Sequence, residues 1–326
     1  MGIWQTEAFV PRRGLRGGHL QTLASFFLWR RIPVAPAEER LIEVEPGVKV
    51  VCHCHWQPDR KNALTILIIH GLEGSSESQY MLGIAAKGMA AGMNVVRMNQ
   101  RNCGGTDSLS PTLYHSGRSQ DLAAVAHYLI NHEKISRLAL AGFSMGGNLV
   151  LKLAGEWGKE GPPQFRAVAA VCPAVDLGPS ADALHLPSNR LYEYYFVIKL
   201  RQRLRAKARL FPGHFDLSRL RGVATLRDFD DKITAYYSGF TGADDYYARA
   251  AAAPVLDRIA VPALILHAAN DPFIRILPET RRRILANPNI NFVETDDGGH
   301  CSFLADPAGD DGHWAERQIV EFLRAF

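Results

Sequence analysis

Nowhere in this chain do about 18 apolar residues follow one another, so no transmembrane helix is expected. Cysteine is scarce: five residues, an odd number without regular spacing, which argues against a disulfide framework and suits a reducing cytoplasm. Neither sign of charge dominates. With 37 basic and 33 acidic residues the net charge is +4, too balanced to make nucleic acid the main partner. The opening Met-Gly-Ile-Trp-Gln-Thr-Glu lacks the basic region and apolar stretch of a signal peptide, although Gly2 with Thr6 meets the bare N-myristoylation pattern. No internal repeat or low-complexity tract stands out.

What is present is enough apolar residue for a large core, 47% of 326 residues. After an irregular opening rich in Arg and Pro, Leu41–Glu45 and Val48–Trp56 alternate like a hairpin. Leu64–His70 is apolar on both faces, the pattern of a central parallel strand. A helix over Tyr80–Ala91, a strand over Asn94–Asn99 and a helix over Ser116–Asn131 follow, then strands at Arg137–Phe143, Arg166–Val175, Ala263–His267 and Ile290–Thr295, and a closing helix from Trp314. Alternating strands and helices predict an α/β fold with a mostly parallel central sheet flanked by helices. Residues 1–326 read as a single domain. Between about 177 and 256 the alternation stops, and helical, aromatic and basic segments predict a helical cap insertion.

The stretch Ala141-Gly-Phe-Ser-Met-Gly-Gly147 holds a Gly-x-Ser-x-Gly match, which in a chain with 28 glycines means little without context. The context is a buried strand before Ser144 and apolar residues at helical spacing, Leu149, Val150, Leu153 and Trp157, after it. The chain thus turns from strand to helix at Ser144, which forces a strained backbone and needs flanking residues without a Cβ. A serine N-cap would account for Ser144 but not for the glycine on either side.

A serine nucleophile needs a base, and the base a carboxylate, both in loops at the carboxyl ends of strands. Asp271 follows the strand Ala263–His267, and His300 follows Ile290–Thr295. The order Ser144, Asp271, His300 is the nucleophile–acid–histidine order of α/β hydrolases. Asp271 as an Asx-turn residue before Pro272 and His300 as a solvated loop histidine stay open beside this reading; Asp296 and Asp297 are rival acids but lie too close to His300 along the chain. The oxyanion would be held by the backbone N–H groups of Met145, after the nucleophile, and Leu72, in the loop His-Gly-Leu-Glu-Gly-Ser-Ser over residues 70–76. That loop lacks the Lys of a phosphate-binding loop.

With these residues in hand, the chain resembles the YheT-like branch of the α/β-hydrolase superfamily, akin to the mammalian abhydrolase-domain lipid hydrolases. The resemblance rests on "GHLQTL", "HGLEGSSES", "MNQRNCGG", "YHSG", "GFSMGGNLVLK", "NDPF" and "GGHCSF", spread over nearly the whole chain. It implies a serine hydrolase of carboxylic esters, with acylglycerols or phospholipids in view, and maps the triad onto Ser144, Asp271 and His300. One departure is Asn102, where the family usually has Gly; Asn is the least costly substitute at positive φ.

Other signals are weaker. In "VCHCHW" strand alternation separates Cys52 and Cys54 from His53 and His55, which argues against a tetrahedral metal site. Cys103 and Cys301 read as small packing residues, with a reactivity risk. In Lys199–Phe211, Leu200, Leu204 and Phe211 form an apolar stripe beside Arg201, Arg205 and Arg209, so this basic cap helix is either solvated or in weak peripheral contact with a membrane. The expectation is a cytoplasmic serine esterase acting through an acyl-enzyme on a small-molecule or lipid-like, medium-chain ester, without cofactor or metal; no protein partner is inferable. An acyltransferase, a thioesterase or amidase with the same triad, and a non-catalytic binding protein on this scaffold are the alternatives.

Overall fold

The computed structural model describes every residue except 1–3, 5, 29, 308 and 309, so Gly2 and the myristoylation pattern lie outside the described residues. The first regular element is α1 (Gly18–Phe27), followed by a hairpin of β1 (Glu38–Glu45) and β2 (Val48–His55). Strands and helices then alternate through β3 (Thr65–Ile69), α2 (Gln79–Ala90), β4 (Asn94–Met98), α3 (Ser119–Asn131), β5 (Leu138–Phe143), α4 (Met145–Trp157) and β6 (Phe165–Val171). Next come α5 (Leu177–Leu184), α6 (Arg190–Leu210), α7 (Leu226–Phe229), a π-helical stretch Asp230–Ala235, α8 (Tyr236–Ser238) and α9 (Ala243–Ala250). The chain closes with β7 (Ala263–Ala268), α10 (Pro278–Ala286), β8 (Ile290–Thr295) and α11 (Trp314–Leu323).

The strands make one sheet in the order β1-β2-β4-β3-β5-β6-β7-β8. The pairs β1–β2 and β2–β4 are antiparallel and all others parallel. Every residue of β3, β4, β5 and β7 is buried. Their predominantly apolar sequences have this cause, because helices cover both faces of the sheet. On one face Leu67, Leu140 and Val168 pack with Leu122 and Val125 of α3 and Leu149 and Leu153 of α4. On the other, Ile66, Ile68 and Leu264 pack with Met81 and Ile84 of α2 and Ile319 and Leu323 of α11. Each such side chain contributes on the order of 1.5–3 kcal/mol through burial.

The helices between β6 and β7 have a hydrophobic cluster of their own, including Leu184, Leu200, Leu204, Phe229 and Tyr246. Asn148 of α4 ties this insertion to the sheet. Its Nδ2 donates to the carbonyls of Ser116 (2.9 Å) and Ala250 (3.0 Å), and its Oδ1 accepts from the Ala252 amide (2.7 Å).

The opening is not wholly irregular, since α1 occupies Gly18–Phe27. Its apolar residues carry no usable periodic signal because Leu20, Leu23, Phe26 and Phe27 are exposed, while the polar Gln21 is its buried residue. Among the described residues no helix is long and apolar enough to cross a membrane.

Candidate active site

Ser144 occupies the single position between the end of β5 and the start of α4, at φ 55° and ψ −118°. A positive φ strains an L-residue with a Cβ, and such strain persists only where the surroundings enforce it. Here two close backbone approaches do so. A Cβ on Gly142 would run into the Gly146 carbonyl, and one on Gly146 into the carbonyls of Ile69 and His70. The Ser144 amide donates to the Val171 carbonyl at 2.9 Å, which fixes the turn against the neighbouring strand.

Asp271 lies in the turn after β7 and is wholly packed away. Its Oδ1 accepts the amides of Phe273 (3.0 Å) and Ile274 (2.9 Å), while Oδ2 lies 2.8 Å from His300 Nδ1. The Asx turn and the pairing with histidine are therefore both present, one on each oxygen. Burial alone would raise the Asp271 pKa, but the charge and hydrogen bond of His300 and the Ile274 amide bring it below the ordinary value. Asp297 serves the loop instead, accepting the Gly17 amide (2.9 Å) and Asn270 Nδ2 (2.8 Å), and Asp296 is exposed.

The ring of His300 packs on Phe273 with centroids 4.3 Å apart. Among the described residues its Nε2 has no hydrogen bond to Ser144 Oγ; its contact is Cys301 Sγ at 3.9 Å. Such bonds often tighten only when substrate is bound. The two loops nevertheless converge, because the Val171 carbonyl that takes the Ser144 amide also lies 3.4 Å from Cys301 Sγ. Burial would lower the His300 pKa, yet Cys301 and Asp271 raise it to about 10. Burial would likewise raise that of Cys301, yet the Cys172 thiol and the His300 charge bring it down to about 6.

The loop after β3 and the start of α4 each present one backbone donor beside Ser144. Among the described residues the amides of Leu72 and Met145 have no protein acceptor. The amides on either side of Leu72 are engaged: that of Gly71 donates to Tyr80 OH (3.0 Å), and that of Glu73 to Tyr114 OH (3.1 Å). His70 is buried and neutral, its pKa lowered to about 4 by burial. Its Nε2 accepts the Gln100 amide (3.1 Å), so Nδ1–H donates to the Gly71 carbonyl (2.8 Å). Asn102 has φ 66°, the conformation in which Asn replaces Gly at least cost.

Two supports of the site escape sequence reasoning. Thr22 Oγ1 of α1 accepts the amide of His300 (2.9 Å), and Gln21 binds Leu304 through both its amide N–H (3.1 Å) and its Oε1 (2.8 Å). The stretch "GHLQTL" was the available signal. Arg203 of α6 reaches Glu73, next to Leu72, with hydrogen bonds of 2.8 and 3.0 Å, and also donates to the Asn102 carbonyl. Lys207, one turn on, donates to Asn102 Oδ1 (2.9 Å). Leu200, Arg203, Leu204 and Lys207 follow helical spacing on one inward face, so the apolar stripe of this basic helix is spent on the insertion's core.

Ser144, Leu72 and Met145 line an open pocket whose empty space, with the solvent at its mouth included, is about 910 Å³. Its walls are mainly apolar and come from the insertion, among them Leu177, Leu184, Phe196, Leu204, Phe229 and Tyr246, with Phe273 beside them. Leu186, Leu191 and Tyr194, also in the insertion, are exposed and not among the pocket's walls. The tyrosine hydroxyls nearest the pocket are already in use: Tyr246 OH accepts the Ser116 amide (3.0 Å) and Tyr247 OH donates to Asp230 Oδ2 (2.8 Å).

This geometry is matched by likeness to known proteins. A family model described as alpha/beta hydrolase fold matches residues 65–307. YheT of Escherichia coli strain K12, whose name assigns it provisionally as an esterase, is 30% identical over 98% of this chain and 93% of its own. Human phospholipase ABHD3 is 28% identical over 98% of this chain and 79% of its own. In fold, the solved structure of a hyperthermophilic esterase from Pyrobaculum calidifontis superposes with a TM-score of 0.60 at 18% identity, covering 94% of this chain and 90% of that one.

Proposed function

The chain belongs to the alpha/beta hydrolase fold family, and from that premise we propose that it is a serine hydrolase of carboxylic esters with medium-chain, lipid-like acyl groups. Ser144 Oγ attacks the acyl carbonyl while His300 Nε2 takes its proton. Asp271 holds the imidazole in the tautomer whose Nε2 is free and stabilises the imidazolium that forms. The negative charge on the carbonyl oxygen develops between the amides of Leu72 and Met145. His300 then protonates the departing alcohol, leaving an acyl-Ser144 that a water molecule, activated by the same histidine, hydrolyses. The insertion acts as a cap that encloses the acyl chain.

The observation that carries this reading is Ser144 held at φ 55° on the wall of an apolar pocket, beside two amides that have no acceptor among the described residues. A helix N-cap serine needs neither the strain nor the pocket. The esterase and phospholipase names of YheT and ABHD3 support the choice of carboxylic esters. The test is a fluorophosphonate probe together with Ser144→Ala. Labelling at Ser144, and loss of both labelling and ester turnover in a variant with an unchanged thermal midpoint, is expected. A folded protein that the probe leaves unlabelled would sink the reading.

A further inference from the structure

Cys172, just beyond β6, and Cys301 have no part in acyl transfer, yet they sit against the histidine that does. One ligand atom from each of Cys172, His300 and Cys301 lies within 4.8 Å of the other two. His300 Nε2 and Cys301 Sγ are 3.9 Å apart, and the Cys301 amide donates to Cys172 Sγ at 3.4 Å. Tetrahedral zinc, with bonds of about 2.3 Å to sulfur and about 2.0 Å to nitrogen, spaces its ligand atoms by roughly 3.5–3.8 Å, so small side-chain rotations bring the three into range.

We propose that Cys172 Sγ, Cys301 Sγ and His300 Nε2 form a binding site for a thiophilic divalent cation of the zinc–cadmium class, whose occupation inhibits the enzyme. Two sulfurs and one imidazole match the preference of such ions and leave a fourth position for water or Ser144 Oγ. The outer contacts fit as well. Metal-bound imidazoles commonly donate their other N–H to a carboxylate, as His300 Nδ1 does to Asp271. The lowered pKa of Cys301 supplies one thiolate readily; Cys172, whose pKa burial raises, loses its proton on binding. Two metal–sulfur bonds and one metal–nitrogen bond form, the Cys172 thiol proton and the one proton held by the Cys301–His300 pair pass to solvent, and nothing is oxidised or reduced. A rival donor set, Cys172, His267 and Asp271, shares one sulfur. It is the weaker choice because both Asp271 oxygens are already engaged, by His300 and by the amides of Phe273 and Ile274.

Binding consumes the Nε2 lone pair that would accept the Ser144 proton. That inhibitory consequence rests on the function proposed above, whereas the binding itself does not. The test titrates the phosphine-reduced full chain with cadmium, following the ultraviolet sulfur-to-cadmium charge-transfer absorption and, in parallel, p-nitrophenyl ester turnover. One cadmium per chain is expected, with turnover falling in step and both effects reversed by a chelator. Cys172→Ser and Cys301→Ser should each weaken cadmium binding by at least roughly 100-fold, the upper end of what losing a mere supporting residue costs. Cys172→Ser should also keep its turnover in cadmium. Should Cys301→Ser fail to fold, Cys301→Ala carries the same affinity measurement. Unchanged cadmium affinity in a folded Cys301→Ser variant overturns the site, since the rival set does not include Cys301. Tight binding that both replacements abolish, in a protein without ester turnover, upholds the site and removes only the inhibitory role.

Discussion

Asp271 divides its two oxygens between two tasks: Oδ2 lies 2.8 Å from His300 Nδ1, while Oδ1 takes the amides of Phe273 and Ile274. Asp271→Asn keeps the acceptor for those amides but presents an N–H to the ring nitrogen that should itself donate. The imidazole is then driven to the wrong tautomer, and turnover should fall on the order of ten-thousand-fold with little change in thermal stability. Steady-state kinetics on a soluble ester decides it. Turnover close to that of the parent would remove Asp271 from the acid's role, and an equal loss in Asp296→Asn would move the role to that loop.

The pH profile carries the mark of Cys301. Only neutral His300 accepts a proton, and although burial lowers its pKa, Cys301 and Asp271 raise it to about 10. Two groups so close titrate as a pair, in macroscopic steps. The acid limb of kcat/KM should therefore lie above the ordinary imidazole range, with turnover still climbing past neutrality. Cys301→Ser removes the ionisable neighbour and should move that limb to lower pH, raising turnover at pH 7. Superimposable profiles of the two proteins would contradict the coupling.

Acyl-chain preference should follow the pocket. Each methylene buried among Leu184, Phe196, Leu204 and Phe229 contributes up to about 0.8 kcal/mol, a factor of at most roughly four. The specificity constant for p-nitrophenyl esters, kept below their micelle concentrations, should rise from acetate to a maximum between about six and twelve carbons. Leu204→Trp, which fills part of that space, should shift the maximum to shorter chains. A maximum at acetate with steady decline would reject an acyl pocket.

Asp230 gives the same pocket a pH-dependent stability. Burial raises its pKa to about 6, against the hydrogen bonds from Thr234 and Tyr247 that lower it. A carboxyl with a raised folded-state pKa favours the fold while protonated, below its unfolded value, and loses that contribution as pH rises through the folded value. Asp230→Asn should therefore raise the thermal midpoint at pH 8, by an amount corresponding to about 2–3 kcal/mol, and leave it nearly unchanged at pH 4. Equal shifts at both pH values would show that packing, not ionisation, dominates at this position.

The sheet was legible along the chain because each strand carries its own evidence. A run such as Thr65–Ile69, buried at every position, declares a parallel strand covered on both faces. Ser144 was legible for a related reason: the strand, the flanking glycines and the following helix are all local, and together they dictate the turn. Asp271 and His300 could be picked out because each follows a strand at the sheet's carboxyl edge, where the topology gathers its loops.

What the chain order hides is whatever depends on meetings between distant segments. Thr22 lies 278 positions from the amide of His300 that it accepts. Arg203 lies 130 positions from Glu73, and nothing in a Leu-Arg periodicity tells a solvated arginine from one turned inward to a carboxylate. Cys172 and Cys301 are separated by 129 positions and look, in sequence, like isolated small residues. Local spacing determines secondary structure and the strained turn because both are set by neighbouring backbone atoms. The contacts that hold the histidine loop, steady the Leu72 loop and place two sulfurs against His300 arise only when helices and loops from far along the chain close over one edge of the sheet.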